Sequence, residues 1–233
     1  MKNKFSGMIL TAGFGLRMLP LTKDLPKALI EVNGITLLEN SINFLKKIGC
    51  TQIIINTHYK YLKINSFIRK RKDKNNIILI NENKILDTGG GVKNAIPYFN
   101  NENIIVINSD IYWIKKNIKD VTVLKKKFLK NQDPHLLLAK KNNVYGLKNK
   151  KGDFILKNKK IKRFQNGSEI LFYSGLQILK INIFDNFAMR KFSFNSIWDD
   201  LILKKQLNGD IMQSKLYHVG DLQGLNIARN LHT

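Results

Sequence analysis

Arg17 and Lys27 stand ten residues apart in "LTAGFGLRMLPLTKDLPKALIEVNG", on a segment turned by Gly13 and Gly15 and stiffened by Pro20 and Pro26. Two cations on an irregular stretch after an apolar run could grip a polyphosphate from two sides, arginine with a planar fork and lysine with a point charge. A third group of interest is Asp110, which closes the apolar run "NIIVINSD". A carboxylate at the carboxyl end of a buried strand stands where open α/β sheets place their ligands, and it suits an oxygen-preferring divalent ion. Each group also has a plainer reading: a glycine turn with two solvated cations, and a helix-capping or turn aspartate.

The loop resembles a phosphate loop but departs from both common patterns. A Walker loop needs Lys-Ser or Lys-Thr directly after its second glycine, and here Gly15 precedes Leu16 and Arg17. The dinucleotide fingerprint needs a glycine three residues after Gly15, and Met18 is there. What remains is a turn of small residues, Thr11, Ala12, Gly13 and Gly15, followed by the two spaced cations.

Positioning these groups requires a sheet. The runs "GMIL", "TQIIINTH", "NIILINE", "NIIVINSD" and "HLLLAK" are apolar on both faces and alternate with amphipathic stretches. That pattern predicts a mostly parallel, Rossmann-like α/β sheet with helices on both faces. "TLLENSINFLKKIG" reads as a helix with Thr36 and Glu39 as a capping box, a stripe of Leu38, Ile42 and Leu45, and Gly49 closing its end. "KYLKINSFIRKRK" and residues 118 to 130 read as further helices, and "GGGVKNAIPYF" as a loop leading into a short one. After about residue 145 the texture changes. "GDFILKNKKIKRFQ" reads as two short strands around a turn, "EILFYSGLQILKI" as a longer strand, "SFNSIWDDLILKKQ" as a helix, "KLYHVG" as a strand and the tail as a helix. With 233 residues and no dividing linker, the chain is expected to form a single domain over 1–233, with halves of different texture over 1–140 and 141–233.

The formal net charge is +23, which raises the prospect of a nucleic-acid or membrane-surface partner. Runs such as Lys125-Lys126-Lys127 and Lys157 to Arg163 lack the interleaved aromatics of a base-stacking surface. The charge therefore reads as lysines on solvated faces, with neither nucleic acid nor membrane as partner. It would still steer an anionic small substrate. One cysteine, Cys50, permits no disulfide within the chain. The N-terminal apolar run is short and reads as a strand, and no run approaches the roughly 18 to 20 apolar residues of a membrane span. A soluble cytoplasmic protein is expected, monomeric or a small homo-oligomer.

The ordered stretch from Leu10 to Gly34 strongly resembles the signature of the sugar-phosphate nucleotidyltransferases, in which small residues, Gly-x-Gly-x-Arg, a spacer and Pro-Lys follow the first strand. "NENKILDTGGGVKNA" is similar to that family's base-binding loop and "IVINSDIYW" to its metal-binding turn, so the resemblance covers nearly the whole chain. Within the family, "LDTGGG" and the "GDF" of residues 152 to 154 most resemble the branch that uridylylates N-acetylmuramic acid 1-phosphate. Mannose- and heptose-1-phosphate guanylyltransferases are the near competitors, and a non-catalytic nucleotide- or nucleic-acid-binding protein on the same scaffold is the second alternative. The resemblance makes 1–140 the nucleotide-binding half and 141–233 the sugar-binding half.

The resemblance implies a nucleoside triphosphate and a sugar 1-phosphate as substrates, a nucleotide sugar and pyrophosphate as products, and Mg²⁺ (or Mn²⁺) as cofactor. It implies catalytic roles for Arg17 on the leaving pyrophosphate, Lys27 between the α-phosphate and the sugar phosphate, and Asp110 on the metal. Leu10, Ala12, Gly13, Gly15, Glu82, Thr88 and Gly89 would contact the nucleotide, Glu82 by reading the base edge. Asp153, Ser174 and Gly175 would hold the sugar, and Trp113 would either line its pocket or sit in the core. Relatives often supply a second metal carboxylate from a late "Asp-Val-Gly-Thr" stretch. Here that stretch is "HVGD", so either His218 or Asp221 would serve, or the metal would rely on Asp110 and the substrates alone.

Overall fold

The computed structural model describes residues 4–147, 151–164 and 169–231. In chain order the elements are β1 (Phe5–Leu10), a small hairpin of β2 (Glu31–Val32) and β3 (Ile35–Thr36), α1 (Leu37–Lys47), β4 (Cys50–Thr57) and α2 (Tyr61–Arg69). They continue with β5 (Ile77–Asn81), α3 (Asp87–Ala95), β6 (Asn103–Asn108), β7 (Ile111–Tyr112), α4 (Asn117–Asn131) and β8 (His135–Lys140). The last are β9 (Val144–Tyr145), β10 (Phe154–Lys157), β11 (Lys160–Arg163), β12 (Leu171–Lys180), α5 (Phe194–Leu203), β13 (Asn208–Ile211), β14 (Leu216–His218) and α6 (Leu222–Arg229).

One nine-stranded mixed sheet runs in the order β10-β11-β13-β8-β12-β6-β1-β4-β5. The four strands β6, β1, β4 and β5 are mutually parallel, and β12 runs antiparallel between β6 and β8. The sheet thus continues without a break from the first half of the chain into the second. Alternate residues of β1 enter different layers. Phe5 and Ile9 pack with α1, α2 and α4 on one face, whereas Met8 packs with α3 and α5 on the other. A parallel sheet buried on both faces needs this apolar continuity, and each fully buried side chain of this size contributes about 1.5–3 kcal/mol. In α1, the Thr36 hydroxyl accepts from the Glu39 N–H at 3.0 Å, Leu38, Ile42 and Leu45 are fully buried, and Gly49 ends the helix with φ of 88°. No helix among the described residues is long and apolar enough to cross a membrane.

Two local features depart from the expectation. Gly89, Gly90 and Gly91 lie inside α3, not in a loop before it. Their lack of Cβ is required by tertiary packing: a Cβ on Gly90 would stand 2.5 Å from the Arg190 carbonyl oxygen, and one on Gly89 2.5 Å from the Phe192 ring. The short strand β13, "NGDI", was not anticipated, because it carries almost no apolar pattern.

Gly175 sits in a bulge of β12, where the pairing with β8 slips between Tyr173 and Gln177. Its φ is 82°, and a Cβ there would meet Ile111 at 2.7 Å and Asn108 at 3.3 Å. Asn108 and Ile111 flank the turn that carries Asp110, so this bulge is the support on which that turn rests. Gly175→Ala is expected to destabilise the fold by about 2–4 kcal/mol, from left-handed backbone strain plus overpacking. Urea unfolding at unchanged m-value would measure it.

Candidate active site

The register of the parallel strands sets the site. Leu10 of β1 is level with Asn56 of β4 and with Asn108 of β6, so three strands end in one row. Ligands of open α/β sheets bind past such carboxyl ends. A cavity of about 620 Å³ lies there, walled by residues 10–17, Lys27, Ala28, Asn56, Ile85, Asp87, Thr88, Asn108, Ser109, Asp110, Lys191 and Gly220. Leu10, Ala12, Gly13, Gly15, Arg17, Lys27, Thr88 and Asp110, all singled out in the sequence, therefore face one cleft.

The loop after β1 is built by local chemistry. Gly15 adopts φ of 67°, and its carbonyl accepts from the Thr22 hydroxyl at 2.9 Å and the Met18 N–H at 2.8 Å. This leaves Arg17 exposed at the rim and folds the chain back so that Lys27 passes behind Gly15, where a Cβ would be 3.0 Å from the Lys27 Cβ. The Thr11 N–H donates to Asn56 Oδ1 at 3.0 Å, and the Thr11 hydroxyl donates to the Asn56 carbonyl, so β4 anchors the start of the loop.

At the β6 end of the cleft, Lys27 Nζ donates to Asp110 Oδ2 at 2.9 Å, and the side chains are 14% and 21% exposed. His218 Nε2 lies 3.4 Å from the same oxygen. It is delivered by the three-stranded sheet β7-β14-β9, in which His218 pairs with Ile111 and the Val219 N–H donates to the Asp110 carbonyl at 2.7 Å. Gly220 presses on the imidazole, since a Cβ there would meet its ring at 2.0 Å. Burial pushes the Asp110 carboxyl up, but the charge of Lys27 and the hydrogen bond and charge of His218 outweigh it. The net result lies far below the usual carboxylate range, so Asp110 remains an anion at any working pH.

Asp110 Oδ1 is buried and has no hydrogen-bond partner among the described residues. An anionic oxygen left bare in this way fits a divalent cation, and an oxygen donor fits Mg²⁺ in particular. Among the described residues no group of three or more His, Cys, Asp or Glu side chains is placed to hold a metal. An ion here would therefore complete its shell with substrate oxygens and water.

Several expected site residues stand elsewhere. Glu82 is buried and does not wall the cavity: its Oε1 accepts from Asn56 Nδ2 at 2.7 Å and its Oε2 from the Leu86 N–H at 3.0 Å. Where the resemblance implied a residue on the base edge, the structure shows Glu82 supporting Asn56, which does reach the cavity. Gly89 is also set back, its N–H donating to the Phe192 carbonyl at 3.0 Å. Its missing Cβ admits the Phe192 ring. Asp153 is exposed on a turn, and its Oδ2 accepts from the Tyr173 N–H at 2.9 Å. Ser174 is fully buried in the bulge beside Gly175, accepting from the Leu176 N–H at 3.3 Å. None of Asp153, Ser174 and Gly175 lines the cavity. Asp221 is the N-cap of α6, its Oδ1 accepting from the Gly224 N–H at 2.9 Å, whereas His218 stands 3.4 Å from Asp110 Oδ2. Trp113 belongs to the core, stacked on Phe44 at 4.4 Å. Asn56, Ser109 and Lys191 line the site without having been expected there.

Comparisons with known proteins bear on the family and on the fold. The family model described as nucleotidyl transferase matches residues 6–157. An N-acetylmuramate alpha-1-phosphate uridylyltransferase of Caulobacter vibrioides is 31% identical over 223 residues, covering 93% of this chain and 92% of the relative. A D-glycero-alpha-D-manno-heptose 1-phosphate guanylyltransferase of Campylobacter jejuni is 27% identical, covering 91% and 93%. Among solved structures, an inositol-1-phosphate CTP transferase from T. maritima superposes with a TM-score of 0.80 at 14% identity, covering 97% of this chain and 94% of that one. The HddC protein of Yersinia pseudotuberculosis, complexed with GMP-PN, superposes at 0.74 with 23% identity, covering 96% and 97%.

Proposed function

The chain belongs to the nucleotidyl transferase family, among its sugar-phosphate nucleotidyltransferases, and from that premise we propose that it joins UTP to N-acetylmuramic acid 1-phosphate, releasing pyrophosphate. The observation that carries the reaction class is the convergence of Arg17, Lys27 and Asp110 on one cavity past the strand ends. The uridylyl and N-acetylmuramic acid assignments rest on the relative matched over nearly both full lengths. The single buried cysteine suits a reducing compartment, and we place the enzyme in the cytoplasm.

In this reading an oxygen of the sugar 1-phosphate attacks the α-phosphorus of UTP. A new P–O bond forms as the bond to the β-phosphate oxygen breaks, and pyrophosphate carries away the electron pair. The nucleophile is already an anion, so the protein need supply no general base. Its work is alignment and charge neutralisation. Lys27 is held by Asp110 through one of its three hydrogens, which leaves the others for phosphate oxygens at the α position. Arg17, at the rim, offers its fork to the leaving β- and γ-phosphates. The backbone of residues 11–15 cradles the nucleotide, as glycine-rich turns do. Mg²⁺ held by Asp110, or Mn²⁺ in its place, would act as a Lewis acid on the triphosphate.

The test pairs each of UTP, GTP, CTP and ATP with N-acetylmuramic acid, heptose and mannose 1-phosphates, reading pyrophosphate release with Mg²⁺ present. Fastest turnover is expected with UTP and N-acetylmuramic acid 1-phosphate. Preference for GTP with heptose or mannose 1-phosphate would overturn the assignment of base and sugar, and no release with any pair would overturn the reaction class.

A further inference from the structure

Lys191 lines the cavity, yet its place in the sequence gives no hint of this. Its position is fixed by the backbone on either side. The Gly89 and Gly90 N–H groups donate to the Phe192 carbonyl at 3.0 Å each, the Phe192 N–H donates to the Leu86 carbonyl at 3.1 Å, and the Phe194 N–H donates to Thr88 Oγ1 at 2.9 Å. Phe192 stacks on Phe187 at 5.4 Å and covers Gly89. The main chain at 191 is thereby held against residues 86–90, while the side chain is exposed to the cavity. Among the described residues no carboxylate pairs with its ammonium. Asp87, which shares the cavity wall, uses its Oδ1 to accept from the Thr88 N–H at 2.6 Å.

The sheet order says which end of the cleft this is. Asp110 and Lys27 stand past β6, whereas the 86–90 segment that holds Lys191 follows β5. From β6 through β1 and β4 to β5 is three strand spacings, or about 14 Å. The β6 end has the Asp110 carboxylate and the Lys27 ammonium, which suit a divalent ion and phosphates. Towards the opposite end the wall is Ile85, which follows β5, with Phe14 held edge-on by His58 and Tyr59, which follow β4, at 5.7 Å each; Leu10, at the end of β1, lies between the two ends. An apolar wall with an aromatic edge suits the flat face of a nucleobase. A triphosphate anchored past β6 thus points its base towards β5.

Building on the nucleotidyltransferase reading above, we propose that Lys191 is a specificity-determining residue that donates to a keto oxygen on the base edge. An ammonium has donors and no acceptor. It therefore favours bases that present a carbonyl oxygen at that point (uracil O4, guanine O6) over those that present an exocyclic amine (cytosine, adenine). Glu82 cannot take this part, because a carboxylate accepts hydrogen bonds and has none to donate to a keto oxygen, and its two oxygens already accept from Asn56 Nδ2 and the Leu86 N–H.

The test measures the affinity of the whole protein for UTP, GTP, CTP and ATP with Mg²⁺ by calorimetry, in the native chain, Lys191→Met and Lys191→Arg, without any sugar phosphate. The native chain is expected to prefer a keto base, and Lys191→Met to lose about 10- to 100-fold for that nucleotide while leaving CTP and ATP within a few-fold. Lys191→Arg should keep the order of preference. An equal loss for all four triphosphates would overturn the proposal, because it would place the lysine on the phosphates. So would no loss, or a native preference for CTP or ATP. A native preference for GTP that Lys191→Met abolishes would overturn the UTP assignment and support this one. Retained turnover of UTP with a uniform Lys191→Met loss would do the reverse.

Discussion

Asp110→Asn lowers kcat/KM by about 10³-fold or more while the protein stays folded. The effect follows from what the carboxylate does in the cleft. Its Oδ2 neutralises Lys27 and faces His218, and its buried Oδ1 is the bare anionic oxygen against which a cation would sit. The amide is nearly the same shape but carries no charge, so it leaves two basic groups facing one another and offers a far poorer ligand to a hard divalent ion. A metal clamp contributes several kcal/mol of transition-state stabilisation, and each 1.36 kcal/mol is about tenfold in rate. Steady-state kinetics at saturating Mg²⁺, with circular dichroism as the check on folding, would measure it. An asparagine variant within about tenfold of the native enzyme would remove Asp110 from the chemistry.

Lys27→Met is expected to cost about 10²- to 10³-fold, the usual price of removing one preorganised donor from a site of developing charge. Methionine keeps the unbranched stem that packs behind Gly15, so the loss reports the ammonium and not a collapsed loop. The loss should fall mainly on kcat, since neutralisation at the transferring phosphorus matters more in the transition state than in the bound substrate. If KM for the triphosphate rises and kcat is unchanged, Lys27 merely holds the nucleotide. Lys27→Arg should recover only part of the rate, because a planar fork cannot give its donors to Asp110 and to the phosphate in the same directions as a compact ammonium.

How far the sequence led depended on whether the cause of each feature was local. The strands β1, β4, β5, β6 and β8 are apolar runs whose pattern is complete within eight residues or fewer, and α1 carries its own cap, stripe and terminating glycine. These could be read directly. The loop from Leu10 to Lys27 was readable for the same reason, since its turns and its two cations lie on one continuous segment.

The misreadings share the opposite property. Three consecutive glycines look like a loop because glycine costs about 1 kcal/mol in a helix. Nothing local reveals that residues 190–192 and the side chains of Asn56 and Glu82 press against them. The place of Glu82 behind Asn56 is a property of two strands side by side. Asp153, Ser174 and Gly175 likewise owe their conformations to cross-strand pairing in β12. Asp221 could have been anticipated as a helix cap from the "DLQG" that opens α6. Lys191 was beyond reach, being one lysine in a lysine-rich chain that reaches the cleft through contacts with a segment about a hundred residues earlier.

The central claim is that one divalent ion and one triphosphate meet at Asp110, within the cleft shared by Arg17 and Lys27. The most direct measurement is the anomalous scattering of Mn²⁺ in crystals grown with a non-hydrolysable uridine triphosphate. A manganese peak is expected bonded to Asp110 and to phosphate oxygens of a nucleotide lying along the row Asn108, Leu10, Asn56. A nucleotide bound outside that cleft, or a manganese peak that does not touch Asp110, would contradict it.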